Sequence, residues 1–242
     1  MHGITLALYC SGNADLERGF LMKRQHGFTL VEIAIVLVII GLILGGILKG
    51  QELIDSARVR SLSNDISGIR AGWYAFQDRY NALPGDFSRA EAQIGVSSTN
   101  GDGNGKVDAS GEVAGVWEHL AEAGFIPGDY DGDGTGAPDI TDLNCRTETC
   151  PSNPFNGFYK IAFGASIPGT NNASTNEFFT GDLIPVGIIL QLDLKLDDGL
   201  ANKGEVQSHA KTDSSCRNTT DGGKDWSVSG GFASCAATIR GF

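Results

Sequence analysis

Hydrophobic and polar positions divide this chain into three stretches. Phe28 to Leu48, FTLVEIAIVLVIIGLILGGIL, is a run of 21 residues in which Glu32 is the only ionisable group. As an α-helix it would be ~31 Å long, enough to cross a hydrocarbon core of ~30 Å. From Gln51 to Asn81 there is no proline, and Val59, Leu62, Ile66, Ile69, Trp73, Phe76 and Tyr80 recur at spacings of three and four. That spacing predicts one apolar stripe on a helix. Phe28 to Asn81 would then be a single helix of ~80 Å. The stripe would either cover a sheet of its own domain or form a coiled-coil seam. Its aromatic later positions favour the sheet. Leu83-Pro84-Gly85 predicts the stop, because a residue before proline avoids helical geometry and Pro-Gly favours a tight turn.

Beyond residue 82 the pattern changes to short apolar groups among glycines, and residues 83–242 read as one loop-rich head. Ser88 with Glu91 predicts a capping box for a short helix ending at Gly95. Val116 to Gly124 predicts an amphipathic helix with Trp117 and Leu120 inward, and His119 at its surface or the core edge. FNGFYKIAFGAS and SVSGGFASCAATI carry strand-type residues. Residues 185–198 are ambiguous, since Leu190, Leu192, Leu194 and Leu196 alternate like a strand while Pro185 and Gly199 bracket a helix.

Glu32 is the anomaly of the apolar run. A carboxylate in lipid costs roughly 2.5 to 3.5 kcal/mol even on the lenient insertion scale, so an ordinary single-pass anchor seldom carries one. The charge becomes tolerable if the helix leaves lipid for a bundle in which a neighbour supplies a cation. Cutting after Gly27 would create such a cation, the α-amino group of Phe28.

The junction Lys23 to Glu32, KRQHGFTLVE, resembles the class III signal of type IV pilins and type II secretion pseudopilins. The resemblance implies a leader over 1–27, cleavage between Gly27 and Phe28 by a prepilin peptidase, and N-methylation of Phe28. It also implies that Glu32 pairs with the Phe28 amine of an adjacent subunit during assembly. Such leaders are short and basic, so translation is expected to start at Met22, which removes Cys10 from consideration. The apolar run at residues 4–10 lacks the basic segment and the cleavage site of a secretory signal. The implied architecture is a pilin-like α+β fold. It comprises a leader (1–27), a transmembrane and filament-core helix (28–48), the amphipathic half of that helix (49–82), and a head (83–242) with a small antiparallel sheet and a disulfide-bonded C-terminal region. The implied partners are other pilin-like subunits in a homo- or hetero-polymer, prepilin peptidase, inner-membrane assembly machinery, and membrane lipid before assembly. The subunit would sit in the bacterial inner membrane with its head periplasmic, then in an extracellular pilus or a periplasmic pseudopilus.

The chain departs from many pilins in having no proline in the first half of the helix. It has Gly41, Gly45, Gly46 and Gly50 instead, each costing ~1 kcal/mol relative to alanine, and a stretch or bend is expected among them. The same glycines would also allow close helix packing. LPGD, VWEHLAEAGFI and LDDGLANKGEV look like segments of a group of bacterial pilin-like proteins of unassigned role. The LDDG ending resembles helix ends there and tips residues 185–198 towards helix.

Without Cys10, Cys145, Cys150, Cys216 and Cys235 remain, an even number that reads as a disulfide framework with three connectivities. Locality favours Cys145 with Cys150 and Cys216 with Cys235, and disulfides place the head on an oxidising side. Zinc is disfavoured because no CxxC pair occurs. Residues 28–242 carry 15 basic and 27 acidic side chains, a net charge of −12. Such acidity repels nucleic acid, whose binding rests on neutralising phosphates.

Two loops have calcium-type oxygen spacing. Asp131, Asp133, Thr135, Asp139 and Asp142 match an EF-hand register with Gly136 at its turn, although Asp142 stands where a bidentate Glu is usual. Asn100, Asp102, Asn104 and Asp108 match less well, with Gly111 at the last position and Glu112 one residue late. Both loops also read as self-solvating Asp, Asn and Gly turns. Asp197 and Asp198 suggest a capped turn before Gly199.

No nucleophile and base constellation is evident, so the chain reads as a structural subunit and not an enzyme, with no cofactor beyond calcium in view. The first function in view is a pilin, major or minor, serving adhesion or motility. The others are a secretion pseudopilin and an anchored adhesin or calcium-binding domain that never polymerises.

Overall fold

The computed structural model describes residues 27–97, 100–132, 145–164, 174–209, 216–218, 222–231 and 234–242. The chain divides into two units between Leu48 and Lys49. Helix α1, Leu30–Tyr80, runs through both as 51 residues without interruption. Its helical hydrogen bonding continues through Gly41, Gly45, Gly46 and Gly50, so the stretch expected there is not seen. A Cβ at any of the four would meet nothing within 4 Å.

In the first unit every described residue, Gly27 to Leu48, is exposed. Its helical part is long and apolar enough to cross a membrane. An apolar surface of this extent marks a lipid or protein interface, because soluble monomers rarely leave one open.

The second unit is an α+β head. The stripe on α1 does what its spacing predicts: Val59, Leu62, Ile66, Ile69, Trp73 and Phe76 are buried in the head's own core, and Tyr80 packs against it. Helix α1 ends at Asn81, whose φ of +50° is a left-handed conformation that asparagine tolerates better than most residues. Arg79 in the last turn suits the negative end of the helix dipole.

Gly85 follows, with φ +87°, and a Cβ there would lie 2.5 Å from the Glu112 carbonyl oxygen. Only glycine lets the LPGD turn approach helix α3 so closely. Helix α2, Ala90–Ile94, starts from Arg89 without a side-chain cap, so the expected Ser88–Glu91 capping box does not form. Its C-terminal Gly95 is left-handed as expected. Helix α3, Ser110–Glu122, begins six residues earlier than the apolar pattern suggests.

Four short strands make one antiparallel sheet: β1 Lys160–Phe163, β2 Asn176–Phe179, β3 Val206–Ser208 and β4 Ala237–Arg240, in spatial order β1-β2-β4-β3. The two strand-type segments supply β1 and β4, while β2 and β3 carry no pattern that marks them in advance. The register pairs Ile161 with Phe178 and Phe178 with Ile239. Phe178 contacts the rings of Tyr159 and Phe242, and Phe242 meets Trp73 of α1. One sheet face is thereby joined to the α1 stripe.

Residues 185–198 are helical, as α4, Val186–Leu196, with Ile188, Ile189 and Leu192 buried. The i, i+1, i+4 grouping of those three is a helix face, and Leu194, which an alternating strand would bury with Leu192, is exposed. The disulfides join Cys145 to Cys150 and Cys216 to Cys235, with Cα separations of 5.4 and 5.8 Å.

Candidate functional site

The junction at the head of α1 is built from Thr29 and Glu32. Thr29 Oγ1 accepts the Glu32 N–H at 3.2 Å. Glu32 Oε2 accepts the Thr29 N–H at 2.8 Å and its hydroxyl at 3.0 Å. This is a reciprocal capping box, and Thr-x-x-Glu is its sequence signature. That signature was legible at Thr29 beside the processing motif. Glu32 therefore has two local donors within its own chain. Its charge still lies at the start of an exposed apolar helix, where an opposite charge from outside would add to the pair. Phe28, 81% exposed, and Gly27, also exposed, precede the helix outside regular secondary structure, which suits access to a peptide bond.

The second candidate region is the loop between α2 and α3. Asn100 accepts the Glu91 N–H at 2.9 Å and so caps α2 from a distance. Asp102 accepts both the backbone and the side-chain N–H of Asn104 at 2.9 Å, and Asn104 accepts the Lys106 N–H at 2.8 Å. The side-chain oxygens of Asn100, Asp102 and Asn104 thus accept backbone N–H groups of the chain itself.

What converges is Asp102 with Asp86 and Glu112, whose carboxylate oxygens lie within 4.8 Å of one another. Buried Asp86, from the LPGD turn, accepts N–H groups of Gly103, Asn104 and Gly105 at 2.7 to 3.0 Å. Burial raises the Asp86 carboxyl above the usual aspartate range, and these three bonds oppose the rise. Glu112 accepts N–H groups of Asp102, Asp108 and Ala109 at 3.0 to 3.2 Å. Two carboxylates thus hold the loop through six backbone donors, and any cation would compete with those donors. Asp86 and Glu112 lie outside the regular spacing of the loop, which is why spacing alone does not find Asp86.

Of the other loop, Asp131 is described, and its N–H donates to the Glu148 carbonyl at 2.9 Å. Asp133, Thr135, Asp139 and Asp142 lie outside the described residues. Asp197 accepts the N–H groups of Glu205 and, at 3.2 Å, Val206, while Asp198 accepts that of Leu200 at 2.9 Å. This pair braces a turn. Asp193, beside it on α4, is fully buried and accepts the Trp226 indole N–H at 2.7 Å.

His119 is not at the surface or the core edge. It is wholly buried, stacks on Phe76 at 6.1 Å, and accepts the Gly85 N–H on Nδ1 at 2.9 Å. Burial lowers its pKa to about 4, so the ring is neutral near pH 7. The reason is topological: the turn that ends α1 folds back over α3 and covers the face His119 presents.

No curated protein and no solved structure matches the chain. Residues 22–48 match the family model described as the prokaryotic N-terminal methylation motif. On a long N-terminal helix and a small antiparallel sheet, the chain therefore carries the processing signal of type IV pilins and pseudopilins, which is read by prepilin peptidase.

Proposed function

We propose that this protein is a structural subunit, a pilin that serves as either a major or a minor component, of a type IV pilus-like filament acting in adhesion or motility. The carrying observation is the combination of the methylation motif at 22–48 with a wholly exposed apolar helix that contains a single carboxylate. Prepilin peptidase hydrolyses the Gly27–Phe28 bond, leaving a carboxylate on Gly27 and an amine on Phe28, and the amine is then methylated. Before assembly, Phe28 to Leu48 spans the inner membrane, and the two disulfides fit a head on the oxidising side. During assembly Glu32 takes the Phe28 ammonium of a neighbour as an additional partner, and the apolar helices form the filament core with the help of the assembly machinery.

The domain scheme has a leader that ends at Gly27, with translation from Met22, where the motif match begins, then a span 28–48, an amphipathic half 49–82 and a head 83–242. Co-expression with prepilin peptidase tests the first step. Mass spectrometry should find a mature chain starting at a methylated Phe28, and a chain still uncut at Gly27 would overturn the proposal. Shearing then separates the machines, because surface filaments containing the mature chain mark a pilus. Retention in the periplasm marks a secretion pseudopilus.

A membrane-anchored calcium-binding domain is the second reading, and it draws on the convergence of Asp86, Asp102 and Glu112. It is the weaker one, because backbone N–H groups already occupy the inner two carboxylates.

A further inference from the structure

A cleft of about 340 Å³ opens in the head between α1 and the segment that follows α3. That volume falls at the lower end of the range of small-molecule sites, roughly 300 to 1,000 Å³. Among its described lining residues Asp65 is the one charged side chain. Asp65 is half-buried and accepts the Tyr159 hydroxyl at 2.8 Å. Among the described residues no cation lies within ion-pair distance of it. Burial raises its carboxyl above the ordinary aspartate value, against the pull of the Tyr159 bond.

Phe125, Tyr130 and Tyr159 also line the cleft, and each ring is held. The Tyr130 ring lies on Gly128, where φ is +131° and a Cβ would come within 2.5 Å of the ring. Tyr159 is tied to Asp65, and Phe125 packs edge-on to Phe76 at 6.1 Å. Gly68, on α1, leaves its side of the cleft open, since a Cβ at that position would meet nothing within 4 Å.

These features select a class of ligand. A neutral apolar molecule would cover a carboxylate without compensating it. A calcium ion would need six to eight oxygens, and the cleft offers one carboxylate. An organic cation satisfies both the carboxylate and the rings, whose π systems attract an ammonium. We propose that this cleft binds an alkylammonium group, with Asp65 as its counter-ion and the rings of Tyr130, Tyr159 and Phe125 as its walls. The group comes either from a free amine or from a lysine of a neighbouring subunit, and the latter source rests on the filament reading above.

The test is titration of the full mature chain, in a non-ionic detergent, with n-butylammonium followed by NMR, with n-butanol as the neutral comparator. The expected result is saturable butylammonium binding that weakens about tenfold or more in Asp65→Asn and for butanol, as loss of a charge-assisted contact implies. Gly68→Leu should abolish binding by filling the cleft, while its melting temperature stays level or rises because leucine favours a helix over glycine. Absence of saturable binding to the wild type overturns the proposal. So does equal binding by Asp65→Asn or by Gly68→Leu. In assembled material, carbodiimide coupling of Asp65 to a lysine, competed by butylammonium, identifies a subunit as the source. Titratable binding without such coupling identifies a free amine. The titration needs no filament, so failure to assemble and failure to bind are separate outcomes.

Discussion

Glu32 and Glu177 are carboxylates in apolar settings that are compensated in different ways. Glu32 is held by its own helix start, through Thr29. Losing that box should weaken the first turn by about 1 kcal/mol, the usual worth of an N-cap. Glu32→Ala removes the carboxylate's half of the box together with the partner for a neighbour's amine, whereas Thr29→Ala removes only the hydroxyl's half. Filament yield should therefore fall far more in Glu32→Ala than in Thr29→Ala, with both chains still inserted in the membrane. Equal yields would sink the intersubunit role.

Glu177 lies in the sheet, wholly buried, with the Arg240 Nε 3.4 Å away and, among the described residues, no hydrogen bond to either oxygen. Burial pushes its pKa up to about 7, although Arg240 opposes the shift. A carboxyl raised in the folded state contributes stability below its unfolded pKa, and that contribution is lost as pH rises through about 7. His119 has the opposite slope: its pKa, lowered to about 4 by burial, removes stability as pH falls below 6.5. Comparing each variant with wild type separates the two. The melting temperature of Glu177→Gln relative to wild type should rise between pH 5 and pH 8. A flat or falling difference would show that Arg240 keeps Glu177 charged throughout.

At the scale of elements, the amphipathic half of α1 is the base of the head. Trp73 and Phe76 sit at the meeting of the C-terminal Phe242, the LPGD segment's Phe87 and His119 of α3. Trp73→Ala should cost about 3 to 5 kcal/mol, the range for truncating a buried aromatic, measured by chemical denaturation. A cost under 1 kcal/mol would show that the stripe does not hold the head together. The α2–α3 loop is governed by Asp86, whose removal takes the acceptor from the N–H groups of Gly103 and Gly105 and leaves that of Asn104 to Asp102 alone. Asp86→Ala should destabilise by about 1 to 3 kcal/mol, and by the same amount with and without a calcium chelator. A loss that appears only in calcium would restore the cation reading of Asp86, Asp102 and Glu112.

For the molecule as a whole, the disulfides close loops of different length. In the chain-entropy account, the Cys216–Cys235 loop, with a sequence separation of 19, is worth about 3 kcal/mol, and the Cys145–Cys150 loop about 2 kcal/mol. Paired serine substitutions should lower the melting temperature in that order. The reverse order would point to strain or residual structure in the unfolded chain.

Long-period features of the fold are readable from the chain because they repeat. The stripe from Val59 to Tyr80, the stop at LPGD and the local cysteine pairs each follow from spacing or from proline and glycine chemistry. The processing junction is readable for a different reason: peptidase recognition acts on contiguous residues, so its signal lies in one place.

Strands β2 and β3 escape detection because three or four residues cannot show a period. In β2 all four side chains are buried, so no polar alternation marks the face. The partners of buried polar groups escape for a geometric reason. Asp86 meets Gly103, Tyr159 meets Asp65 across 94 residues, and Asp193 meets Trp226, only after distant segments fold together. The sequence by itself determined the long helix, its buried stripe, its stop and its processing signal, all consequences of near neighbours and periodicity. Tertiary structure alone decided which carboxylates converge, which histidine loses water and where a cleft opens, because desolvation and long-range pairing belong to the folded chain.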